Sequence, residues 1–186
     1  YTRPWPFLNQ QEDVGLAEAF VSRGAAQLVG IDQEFVLSPL LHLDALIEGA
    51  SDTQRKALEA ARTRAAEAGE AMVAQHDPSR MPLLALSADE WRALRDSYPR
   101  GTEGWQVLED LAASTRIYQD QQTDPYASNH ARALLMKREF MAWYRAAGPA
   151  PRAVIKLGAY HAGRGRSPVG VHDIGNLASE LAESEG

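Results

Sequence analysis

Apolar and polar positions along the chain follow two rhythms. Over 51–75 and 104–122 the apolar residues recur at alternating spacings of three and four. Leu58, Ala61, Ala65, Ala68 and Met72 form one such seam, and Leu108, Leu111, Thr115 and Tyr118 form the other. That spacing predicts amphipathic helices with narrow apolar stripes. Elsewhere the apolar residues come in short unbroken runs. "AAQLVGI" (25–31) and "RAVIKLGA" (152–159) are the clearest. Short runs of this kind, bounded by glycine, proline and polar residues, predict buried strands.

Start and stop signals fill in the rest. Residues 1–9 read as a Pro/Trp-rich loop, and 10–24 as a short helix stopped by Gly24. Ser38 as N-cap and Pro39 at the first helical position predict a helix over 38–49. Ser87 and Glu90 form a capping box ahead of a short helix. Asp124–Pro125 opens a helix that Gly148–Pro149 closes, and its apolar residues lie on most sides, as in a largely buried helix. A final helix over 177–186 follows, capped by Asn176 or Asp173.

Two buried strands alternating with helices predict an α/β fold. The expected architecture is a layered, parallel or mostly parallel sheet with flanking helices. Residues 1–50 and 126–186 form its core, and 51–125 an all-helical insertion.

In such sheets ligands sit beyond the carboxyl ends of the strands. The first run ends in Asp32, Gln33 and Glu34, and the second in Tyr160, His161 and Arg164. Eight strand residues, 153–160, would span roughly 26 Å. An antiparallel return helix needs roughly 17 or 18 residues to match that length. Counting back from Ala147 brings Arg132 level with His161. A histidine there suits general acid–base work, a carboxylate from Asp32 or Glu34 would orient it, and Arg132 would hold an anion or a developing oxyanion. Arg164, Lys156, Tyr160 and His130 are candidate substrate-binding neighbours. The plain alternatives stand beside these roles. His161 could be a loop histidine bonded to backbone, Arg132 could pair with Glu139 seven positions on, and Lys156 could face the site or snorkel to an edge. His42 reads as a satisfied core residue. His76 is a cation at a helix C-terminus, and Asp173 a helix cap beside His172.

Composition narrows the chemistry. With 186 residues, one domain with a core is expected. The chain has no cysteine, which excludes thiolate metal sites, disulfides and cysteine nucleophiles. No H-E-x-x-H or comparable spacing predicts a metal site, no G-K-[ST] completes a P-loop, and no G-x-S-x-G surrounds Ser167. The net charge of −6, with basic residues scattered beside acids, disfavours a nucleic-acid partner. No apolar run approaches a membrane span, so a soluble protein is expected, cytoplasmic or exported. The opening "YTRPWPFLN", without Met, reads like the middle of a loop, and the chain is expected to be an internal fragment or a processed product.

The order "LVGIDQE", then Arg132 with Met136 four residues on, then a run into "YHAGRG", resembles the erythromycin esterase-like family. In that family a strand ends in a G-x-D-like turn, a later helix carries an Arg followed by Met, and a strand leads into a His-Asn-x-His-like motif. His161 matches the second histidine of that motif, Gly158 and Ala159 stand in place of its first His and Asn, and Ala133 replaces the acid after the Arg. The resemblance implies hydrolysis of an ester or lactone, by water activated by histidine and glutamate with arginine assisting. The family's principal His and Glu would lie upstream of this chain. The wider superfamily, with its haem-binding uptake proteins and Tiki-type proteases, implies an alternative: a non-catalytic protein binding haem or an anionic metabolite through Arg132, Lys156 and Arg164.

Overall fold

The computed structural model describes residues 11–22, 28–149 and 151–185. The expected loop over 1–9 and the Gly24 stop lie outside the described residues, as does the first part of the 25–31 run. The described elements are helices α1 (Gln11–Val21), α2 (Ser38–Glu48), α3 (Asp52–Gln75), α4 (Ala88–Arg95), α5 (Glu103–Thr123), α6 (Pro125–Ala146), α7 (Ala159–Ala162) and α8 (Ile174–Glu185). Two short 3-10 turns, Pro78–Arg80 and Pro82–Ala85, lie between α3 and α4.

The α/β expectation is corrected. The structure is 70% helical, and the described residues contain no strand and no sheet. Residues 28–31 and 151–158 are irregular, and Ala159–Ala162 is a single helical turn. The physical reason lies in burial. A strand inside a parallel sheet is covered on both faces. In the second run, only Ile155 and Leu157 are half-buried, while Val154 is 73% exposed. Those two residues pack straight onto Met136 and Phe140 of α6 and Ile174 of α8. Ile31 joins the same cluster. Apolar burial is met by helices, and among the described residues no neighbouring segment takes up the backbone hydrogen bonds of a ladder.

The helix signals translate closely into structure. In α3 the backbone N–H of Ser51 donates to Gln54 Oε1 (3.1 Å), and the helix ends at His76 with φ of 52°. The seam residues Leu58, Ala61 and Ala65 are buried. The capping box of α4 is formed: Ser87 N–H donates to Glu90 Oε2 (2.7 Å) and Glu90 N–H to Ser87 Oγ (3.2 Å). Helices α5 and α6 meet at Asp124, whose carboxylate accepts from Ala127 N–H (3.0 Å). Ser128 Oγ donates to the Ile117 carbonyl (2.8 Å), and Arg138 pairs with Asp110 (3.1 Å). One sequence number rises as the other falls, so α5 and α6 run antiparallel.

Two apolar clusters result. Leu43 of α2, Leu58 of α3, Leu83 and Leu86 of the connecting turns, Trp91 of α4 and Leu108 of α5 form the larger. Met136 and Phe140 of α6 with Ile174 of α8 form the smaller, and the candidate site lies beside it. Among the described residues no helix is long and apolar enough to cross a membrane.

Candidate functional site

The site is assembled from four stretches. Asp32 follows the half-buried Ile31, Arg132 projects from α6, His161 sits on the single turn α7, and Asp173 immediately precedes α8. Arg132 Nε donates to Asp32 Oδ1 (2.7 Å), and its Nη2 donates to Oδ2, a two-pronged pair. The Asp32 hydrogen bonds raise the Arg132 pKa against the opposing effect of burial, and the charges of Asp32, Tyr118 and Asp173 add to the rise. Arg132 therefore takes Asp32 as partner. Glu139, the alternative, pairs with Arg138 instead.

His161 Nδ1 lies 2.6 Å from Asp173 Oδ2. The aspartate is 1% exposed and the histidine side chain 13% exposed. Asp173 is also fixed by its own helix: its Oδ1 accepts from Ile174 N–H (2.8 Å), and its carbonyl accepts from Asn176 N–H (3.0 Å). A carboxylate only accepts, so the bond to Asp173 is donated by Nδ1–H, which in a neutral ring leaves the lone pair on Nε2. This is the tautomer that takes a proton from water.

Gly175 permits the arrangement. A Cβ built on it would collide with the backbone of Ala162 and Gly163. Close approach of α8 to the segment after His161 is thus possible only without a side chain. Asn176 closes the loop beyond: its amide donates to the Gly165 carbonyl, and its oxygen accepts from Gly165 N–H (2.8 Å each).

The other sequence-expected residues fall elsewhere. Glu34 pairs with His42 (2.9 Å), not His161. Burial pushes the Glu34 carboxyl up, but the His42 hydrogen bond and charge outweigh it and hold the pKa below the ordinary value. His42 is satisfied, with Glu34 as its partner, but its side chain is 31% exposed and so lies outside the core where it was expected. Arg164 pairs with Glu183 (2.6 Å) in an exposed bridge. Tyr160 is 57% exposed, and Lys156 is exposed. His130 lies on another face of α6, stacked on Tyr126 with ring centroids 6.3 Å apart. Sequence reasoning assigned Asp173 only as a cap. The signal that could have found it is an acid that follows His161 after a tight Gly-rich loop and opens a helix.

Asp32, Glu34, Asp110 and Glu139 also border a small cavity of about 90 Å³. Burial pushes the Asp110 carboxyl up, reinforced by the charges of Glu139 and Glu34, against the pull of Gln106 and Arg138. Among the described residues no group of three or more His, Asp or Glu side chains is placed to hold a metal ion. Compared with models of known protein families, with curated proteins and with solved structures, the chain gives no match.

Proposed function

We propose that this chain is a hydrolase that activates water with His161 and attacks an ester or lactone carbonyl. The observation that supports it is the bond between His161 Nδ1 and the buried Asp173 carboxylate, 2.6 Å long. That bond directs the lone pair of Nε2 to the proton of an approaching water. The aspartate then balances the imidazolium that forms, and the same imidazolium returns its proton to the leaving alcohol. Arg132 is a positioning residue in this scheme. Chelated by Asp32, it places a fixed positive charge near Asp173. Only the sequence resemblance to the erythromycin esterase-like family favours an ester or lactone as substrate and gives His161 an acid–base part; the strands which that resemblance implies are absent among the described residues.

The test is hydrolysis of a short-chain nitrophenyl ester and of a macrocyclic lactone by the chain and its His161→Ala and Asp173→Asn variants. The first variant should lose about 10²-fold or more in kcat, the usual contribution of an acid–base group. The second should lose a similar factor, because asparagine carries no charge to balance the imidazolium and can turn its NH2 toward Nδ1, favouring the other tautomer. Turnover unchanged in His161→Ala, or absent from the unaltered chain on both substrates, refutes the proposal.

A further inference from the structure

A second concave surface lies on α6, on the side of the helix that carries His130. Tyr126, His130, Leu134 and Lys137 line it at helical spacing from one face. Arg166, Gly170 and His172 line it from the loop before α8. Its volume is about 340 Å³, at the lower end of the range for small-molecule sites.

Its charge is unlike that of the rest of the molecule. The chain carries 25 acids against 19 bases, yet among the described residues no carboxylate lines this cleft, while His130, Lys137, Arg166 and His172 do. Many arginines elsewhere pair with acids, as in Arg64–Glu90, Arg132–Asp32 and Arg164–Glu183. Here Lys137 Nζ donates to the His172 carbonyl (2.7 Å) and Arg166 Nε to the Gly170 carbonyl (2.8 Å). Those carbonyls fix the two cations in place, and among the described residues neither cation has a carboxylate partner. Each bond uses one donor, out of three for the ammonium and five for the guanidinium.

The floor is aromatic. Tyr126 and His130 stack at an interplanar angle of 16°, and the Arg166 guanidinium lies 6.0 Å from the Tyr126 ring centre. Leu134, 54% exposed, extends the apolar surface. Gly170 keeps the floor open. Its φ of +85° suits glycine, and a Cβ there would press on the Tyr126 ring at 3.2 Å.

From this geometry we infer that the cleft between α6 and the 166–172 loop binds a small dianion carrying a flat aromatic group, of the aryl phosphate monoester class. Two fixed cations match the two charges of a phosphate monoester. The Tyr126–His130 platform and Leu134 take the ring. The site is separate from the His161–Asp173 pair, and the inference does not depend on hydrolysis.

The probes are phenyl phosphate, inorganic phosphate and phenol, titrated by calorimetry against the unaltered chain and two variants. His130→Glu and Leu134→Glu each place a carboxylate at an exposed position of α6, so the fold is retained and thermal unfolding checks it. Phenyl phosphate should bind saturably at one site, about tenfold or more tighter than inorganic phosphate or phenol. Each variant should weaken it by about tenfold or more, since a like charge now opposes the dianion. Equal affinity for phenyl phosphate and inorganic phosphate overturns the aromatic part. Affinity unchanged in both variants, or no saturable binding of phenyl phosphate, overturns the site.

Discussion

Replacing Gly175 with alanine tests the geometry of the His161–Asp173 pair without touching either side chain. The added methyl would meet the backbone of Ala162 and Gly163, and ordinary contact for a Cβ begins at about 3.4 Å. One of its clashes is at 2.5 Å, so the segment must retreat by roughly 1 Å. The segment carries His161 with it, while Asp173 stays anchored at the start of α8. A bond of 2.6 Å between Nδ1 and Oδ2 would open to about 3.6 Å, beyond hydrogen-bonding distance. A hydrogen bond to a charged group contributes about 1.5–3 kcal/mol, and the carboxylate is left buried without its partner. The lost bond is expected to cost about 2–4 kcal/mol, more than the roughly 1 kcal/mol by which helix propensity alone would stabilise a Gly→Ala change. Urea unfolding measures the loss. Proton NMR reads the pair directly, because the Nδ1 proton shared with a carboxylate resonates far downfield. The signal should vanish in Gly175→Ala and persist in Ser179→Ala, a change one turn further along α8. A variant as stable as the parent, with its downfield proton intact, would show that α7 and α8 do not meet as described.

Trp91 is fully buried, and its ring nitrogen donates to the Leu83 carbonyl (3.3 Å), which also accepts from Thr115 Oγ1 (3.2 Å). Trp91→Ala should cost about 3–5 kcal/mol in urea unfolding, and Trp91→Phe about 1–2, because Thr115 still satisfies that carbonyl; a cost under about 1 kcal/mol for Trp91→Ala would place the core elsewhere. Acid should weaken the fold through Glu90, whose pKa the Arg64 and Ser87 hydrogen bonds lower from 4.5 to about 2. A carboxyl lowered in the folded state contributes stability above its unfolded value, and that contribution is lost as pH falls from about 4.5 to about 2. The side chain is 46% exposed, so solvent screening limits the effect to about 1 kcal/mol. Thermal unfolding followed across that window should fall less steeply in Glu90→Gln; an identical fall in both proteins would remove Glu90 from the account. Asp110 works in the opposite sense. Its raised pKa means that the folded state takes up a proton before the unfolded one, so Asp110→Asn should raise the melting temperature at neutral pH, and a lowered one would contradict the burial argument.

The local rules of the chain wrote most of its helices. The capping box at Ser87 and Glu90, the Asp124–Pro125 start and the three-four seams of α3 and α5 all depend on residues within one or two turns of each other. That is why they were visible in the order of amino acids. The sheet was not there to be read. Ile155 and Leu157 carry the same apolar alternation whether their neighbours are strands or helices, and only packing on α6 and α8 settles which. The site divides in the same way. Arg132 and Asp32 were both expected near His161, but the partner of each side chain depends on contacts across long stretches of chain. Arg132 closes on Asp32 a hundred residues away, Glu34 turns to His42, and His161 takes Asp173. Periodicity and capping are short-range and survive translation into one dimension. Which acid meets which base is decided where distant helices touch, and for His161 by the absence of a side chain at Gly175.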